Sequence, residues 1–167
     1  MASRFYPQKD IDTFDKFNKE LVGDLSSGKD GIIYQPVVAY KISAVDTETN
    51  MYGETSNGKV FRPGVELACL VEAEDMAFNT DEFGPDLRQN ATFSFVRQSL
   101  RDVSLVLEIG DVVEWFTAYW EINNINENQL VGGQYKQLDG QHIHSVICGA
   151  NLLRRSNLNI EEVRSLS

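Results

Sequence analysis

The sequence predicts a mainly β protein, a small β-barrel or sandwich of about seven strands with an N-terminal helix and long loops. Three features lead there. Apolar residues in the first 25 positions recur at spacings of three and four, whereas beyond residue 32 they come in short runs rich in Val, Ile, Phe, Tyr and Trp. Gly, Pro, Asn and Asp clusters separate those runs. A chain of 167 residues, 42% hydrophobic and 10% aromatic, is long enough for one domain with its own core and short for two. A single domain over 1–167 is therefore expected, with the helix at about 10–25, the β core at about 32–153 and a tail at about 156–167.

In the helix, Ile11, Phe14, Phe17, Leu21 and Leu25 form one apolar stripe. Asp10 or Asp12 serves as its cap, and Gly23 with Ser26-Ser27-Gly28 supplies the stop. The stripe has two uses, covering the domain's own core or docking on a neighbouring subunit. Strands are expected at 32–45, 65–72, 91–96, 103–107, 112–116, 119–125 and 142–153. In the sixth, a period of two puts Trp120 and Ile122 on one face and Glu121 on the other. Thr117 and Ala118 leave room only for a tight hairpin before it. The connection 46–64 is far longer than joining two strands requires and is the candidate moving part. Residues 76–90, with Phe83-Gly84-Pro85-Asp86, read as a more rigid crossover.

Fifteen Lys and Arg against 25 Asp and Glu give a net charge of -10, which argues against a broad phosphate-tracking surface. The same balance suits a wall that DNA must pass without sticking. Neither a signal peptide nor a membrane span is expected, since no apolar run of the needed length is present. Cys69 and Cys148 each sit in an apolar run, as buried free cysteines do, so a reducing compartment and no disulfide are expected.

His142 and His144 share a strand face with Cys148, but their spacing matches no zinc signature. Asp46, Glu48 and Asn50 imitate the start of a calcium loop, yet Met51 stands where the turn needs Gly and Asn57 where the last ligand should be Glu. The acidic Glu72, Glu74 and Asp75 read as a solvated face. Phosphate loops, a nucleophile elbow and a nucleophile with a base are all missing from the sequence, so neither catalytic residue nor cofactor is expected, and the chain is not read as an enzyme. Trp115, Phe116, Tyr119 and Trp120 are open to reading as a stacking platform for single-stranded nucleic acid. Alternation sends at least two of them to the core, and basic residues are sparse around them.

The segment Glu108-Ile109-Gly110-Asp111-Val112-Val113-Glu114-Trp115-Phe116, followed by Tyr119-Trp120-Glu121-Ile122-Asn123-Asn124-Ile125, resembles a block of the neck proteins of contractile-tailed, T-even-like bacteriophages. That block reads Gly-Asp-aliphatic-x-aromatic, hairpin, aromatic-Glu-Ile. Flanking segments resemble the same family in the same order: Tyr52-Gly53-Glu54, then residues 83–93 beginning Phe83-Gly84 and ending Ala91-Thr92-Phe93, then 126–133, then 144–160. The resemblance spans roughly residues 50–160. The chain departs from the pattern in its shorter length, its clipped turn, and Glu114 where an aromatic or aliphatic residue is common.

The resemblance implies a head-completion, or head-closure, protein. Such a chain forms a homo-oligomeric ring of six copies between the portal or adaptor protein and the tail terminator protein. It closes the head, retains packaged DNA through transient non-specific contact, and offers the tail a docking surface. Its place is the virion neck, assembled in the host cytoplasm and without a membrane. A tail terminator or adaptor is the alternative. On this reading 46–64 is a gating loop, with Tyr52, Gly53, Glu54, Gly58, Lys59, Phe61 and Arg62 as its candidate residues. Gly53 and Gly58 permit backbone change, Pro63 fixes the return, and Lys59 and Arg62 are the cations available to phosphate. Arg154 and Arg155, with the tail behind them, are the candidate ring-contact residues.

Overall fold

The computed structural model of the chain describes residues 8–24, 28–43, 47, 59–81, 84–127, 144–153 and 158–159. Its first element is helix α1 (Gln8–Val22), which ends at Gly23 in the left-handed region, the usual glycine stop. Two-residue strands β1 (Gly23–Asp24) and β2 (Lys29–Asp30) follow as an antiparallel pair. The main strands are β3 (Gln35–Tyr40), β5 (Val65–Ala73), β8 (Asn90–Val96), β9 (Val112–Trp115), β10 (Ala118–Asn126) and β11 (Ser145–Leu153). Between them lie the short β4 (Lys59–Val60), the pair β6 (Ala77–Asp81) and β7 (Gly84–Arg88), helix α2 (Arg97–Asp102), and lastly β12 (Leu158–Asn159).

The six main strands close into an antiparallel barrel in the cyclic order β10-β11-β8-β5-β3-β9. The expected barrel class is thus what forms. Period-two alternation fills its interior: Val37 and Ala39 from β3, Leu67 and Cys69 from β5, Phe93 and Phe95 from β8, Trp120 and Ile122 from β10, Val146 and Cys148 from β11. At the centre, the rings of Phe93, Trp115 and Trp120 stand 6.1 to 6.4 Å apart in edge-on or tilted pairs, the arrangement their quadrupoles favour.

Four readings change. Residues 103–107 are not a strand but an irregular segment after α2, in which Leu105 and Leu107 turn inward with Leu100 onto the core cluster while Val103 and Val106 stay exposed. Its apolar alternation belongs to a barrel plug and therefore mimicked a strand. Residues 76–90 hold the β6–β7 hairpin rather than a crossover, because β5 and β8 are themselves antiparallel neighbours. The strand expected at 32–45 is confined to β3, with Ile32 and Ile33 outside it and exposed. Finally, the β9–β10 turn is Phe116-Thr117, since Ala118 pairs with Trp115.

That turn is strained. Phe116 has φ +52 and Thr117 φ +104, values a two-residue hairpin needs but that Asn and Gly adopt far more cheaply. Replacing Phe116-Thr117 with Asn-Gly should stabilise the barrel by about 1 to 2 kcal/mol, measured by urea unfolding. No gain would show that the turn is not strained. Trp120→Ala should cost about 3 to 5 kcal/mol by the same assay, as expected for emptying a core aromatic site. Trp120→Phe should cost less, because the buried indole N–H has no hydrogen-bond partner among the described residues and its removal leaves nothing unpaired.

Candidate functional site

The barrel closes where β3 meets β9, and several of the described polar side chains bond across this seam. The backbone pairing covers Val38, Ala39 and Tyr40 against Glu114, Val113 and Val112. Three side-chain bonds cross the same line. The Tyr40 hydroxyl donates to Glu114 Oε2 at 2.7 Å, the Trp115 indole donates to Gln35 Oε1 at 3.4 Å, and Asp111 Oδ1 accepts the Ile42 N–H at 3.0 Å. Asp111 is 2% exposed, and its other oxygen accepts the Glu108 N–H at 2.8 Å. Gly110, at φ +96, lets the chain turn there so that its N–H reaches the Ile122 carbonyl at 2.7 Å. The Gly-Asp pair thus locks the tight turn entering β9 onto both neighbouring strands.

The return limb of the long connection lies along the continuation of β3. Phe61 bridges Ile42, the Arg62 N–H donates to the Lys41 carbonyl at 2.8 Å, and the Ser43 N–H donates to the Val60 carbonyl at 2.9 Å. Its departing limb is tied to the same place. Thr47 Oγ1 donates to the Ser43 carbonyl at 2.7 Å and accepts the Val60 N–H at 3.3 Å. The two limbs are therefore joined at their base on the barrel. Lys59 forms an ion pair with Glu121 of β10, and β4 pairs in parallel with β12, which brings the C-terminal segment to the loop base as well. Gly64 fits because a Cβ there would strike Val38 and Tyr40.

Of the sequence-predicted site residues, Lys59, Phe61 and Arg62 are thus brought together at this base. Tyr52, Gly53, Glu54 and Gly58 lie outside the described residues, as do Arg154 and Arg155, His142, and the imitated calcium ligands Asp46, Glu48 and Asn50. Lys59 is engaged by Glu121 rather than left for phosphate alone. The seam residues Tyr40, Asp111 and Glu114 escaped the sequence reading as a site. Their only signal was the Gly-Asp dipeptide, and a strand period cannot say which two strands close a barrel.

The aromatic quartet does not form one platform. Trp120 is interior, Trp115 is partly buried beside it, Tyr119 is buried against Tyr40 on the outer flank, and only Phe116 is exposed, at 73%. His144 is buried at the start of β11, where its Nδ1 meets Asp15 Oδ1 of α1 at 2.6 Å and its ring packs beside Phe14. Glu74 accepts a hydrogen bond from Asn90 at 3.0 Å on an exposed edge. Among the described residues no cluster of His, Cys, Asp and Glu has the makings of a metal site.

Burial sets the chemistry of the titratable groups. It pushes the Cys69 thiol well above its ordinary value, with Cys148 adding to the shift, and pushes Cys148 up to about 12, with the charges of Glu127 and Asp111 adding. Burial also raises the Tyr40 hydroxyl, helped by its hydrogen bond to Glu114. Neither thiol is a nucleophile in the folded state. No protein-family model and no curated protein sequence matches the chain.

A pH dependence follows. Groups raised on folding hold their full stabilisation below the unfolded value, 9.0 for these thiols, and lose it as pH climbs toward the folded value. Each thiol should therefore remove about 1.4 kcal/mol per pH unit above that point. The urea midpoint should fall between pH 9 and 11, and Cys69→Ala with Cys148→Ala should flatten the fall. An identical slope in wild type and double variant would show that the thiols titrate as if exposed.

Proposed function

We propose that this chain is a structural protein of a tailed-phage virion, a head-closure component of the neck that forms a ring between the portal or adaptor and the tail. The observation that carries this reading is the anchored loop: both limbs of 46–64 are fastened to one flank of a closed barrel, and the C-terminal strand joins them there. A closed barrel with a long connection fastened at both ends to one flank is the kind of part a gate requires. The ordered resemblance over roughly residues 50–160 supports the same reading.

The mechanism is conformational and assembly-based. In a ring of six, each loop narrows the channel, and closure multiplies contacts that are individually weak. Six copies at -10 bring about -60 to the assembly, so DNA slides past walls that repel it and salt alters the ring's stability. Lys59 and Arg62 at the loop base stand as the local cations, Lys59 shared with Glu121. A tail terminator or adaptor remains the second reading, since the same barrel would serve either ring. The scattered burial of the aromatic quartet speaks against a single-strand-binding barrel.

Imaging purified particles with a tag on this chain should place it between head and tail. A tag at the far end of the tail, or absent from particles, overturns the neck. Replacing 48–57 with a Gly-Ser linker, which keeps Thr47 and Lys59, should give particles that join tails but leak DNA. If they hold their genome as well as the parent, the loop is not the gate.

A further inference from the structure

Helix α1 is mounted with most of its apolar stripe off the barrel: Phe14 packs beside His144 along one edge, while Phe17 and Leu21 face outward. Its inward side is Asp15, Lys19 and Val22: Asp15 meets His144, Lys19 reaches Asp102 of α2 at 3.1 Å, and Val22 packs on the outward-facing Ala68 and Val96 of β5 and β8. At about 100° per residue the line through Phe14, Phe17 and Leu21 lies roughly 130° round the helix from that side. These residues are 42%, 61% and 39% exposed, and Ile32 and Ile33, at 86% and 40%, extend the surface past Leu21, whose carbonyl accepts the Ile33 N–H at 2.9 Å. Of the two uses the stripe has, covering its own core is the one this mounting does not fulfil.

We propose that this surface binds the β9–β10 hairpin of a second copy of the chain, with Phe116 as the inserted side chain. The inference rests on the ring reading above and names the contact that builds it. Two observations select this occupant. At about 200 Å² per fully exposed side chain of this size, the five exposed fractions amount to roughly 500 Å² of apolar surface. Interfaces are about 60% apolar, so that is the share expected in roughly 800 Å² per partner, the size of a stable subunit contact. The second is placement. In the cyclic strand order, β5 and β8, which carry α1, lie across the barrel from β9 and β10. Phe116 tips that opposite side, exposed and held at positive φ against Trp115, its ring centroid 4.9 Å away. Solvent and backbone alike favour Asn or Gly there, so an aromatic residue points to a partner. Contact between opposite flanks is head-to-tail, the kind that closes rings.

The test is sedimentation of the full chain over a range of concentrations, with two variants that fold. Phe17→Glu changes an exposed residue, and Phe116→Asn with Thr117→Gly relieves the turn. Wild type should associate, and each variant alone should do so roughly thirtyfold more weakly or worse, the loss of a central anchor. Mixed, the two variants should give a 1:1 dimer and nothing larger, because together they retain one intact helix surface and one intact hairpin. If wild type stays monomeric at every concentration, the ring reading falls and this contact with it. If wild type associates and the variants do so equally, the ring stands and this contact is wrong. If the variants are monomeric but do not pair on mixing, the two surfaces do not meet.

Discussion

Everything in this molecule depends on the closure of β3 onto β9. That seam has only three backbone residue pairs, against seven between β10 and β11 or β11 and β8. Left open, both strands would be sheet edges with unpaired backbone groups, and the interior cluster of Phe93, Trp115 and Trp120 would face water. Tyr40, Asp111 and Gln35 compensate by bonding across the line. The buried Asp111 ties the turn to the seam, one oxygen taking the Ile42 N–H across the line and the other the Glu108 N–H on its own side. The seam also fixes where the long connection starts and returns, since both limbs bond to the extension of β3.

The barrel-or-sandwich class was legible in the sequence because most of its strands alternate inward and outward residues, although β5 buries Leu67, Ala68 and Cys69 in a row and β10 shifts register between Ile122 and Asn124. Trp120, Ile122 and Cys148 point inward as their alternation requires. One misreading arose because the period reports which residues are buried, not what buries them. Leu105 and Leu107 alternate as a strand would, yet they plug the barrel from an irregular segment in which Ser104 takes φ +54. The β6–β7 pair escaped for the opposite reason, since Asn79, Asp81, Gly84 and Pro85 are poor strand formers held by register with each other. In α1 the spacing gave the helix and its stripe, but the side facing the barrel was set by His144 and Asp102, more than 80 residues distant in sequence.

The candidate site was half legible. Loop length marked 46–64, and Lys59 and Arg62 stood out as its cations, but the partner Glu121 was hidden among the acidic residues of a chain carrying 25 of them. The Gly-Asp pair belonged to the block that resembles the neck proteins, and the structure gives it a physical reason. Gly110 makes the turn and Asp111 closes the seam, work that requires those two residue types whatever the protein does. The dipeptide therefore speaks to the barrel more than to its task, and the weight of the functional reading rests on the loop.

The mounting of α1 is the point at which fold and function separate. Burying roughly 500 Å² of apolar surface at about 25 cal/mol per Å² is of order 10 kcal/mol, comparable to the whole stability of a domain. A helix selected only to stabilise this barrel would turn its phenylalanines inward. Polar groups prevent that turn. Rotating α1 would strand the buried His144 without Asp15 and break Lys19 from Asp102. Leaving the buried His144 unpaired carries a steep cost, so Asp15 is the main pin, and the solvent-accessible Lys19–Asp102 pair adds little to it. The strained hairpin on the far side makes the same concession, with an exposed ring on a backbone that favours Asn or Gly. These are two costs to the monomer, on opposite flanks of one barrel, and the proposed contact between copies would offset both at once.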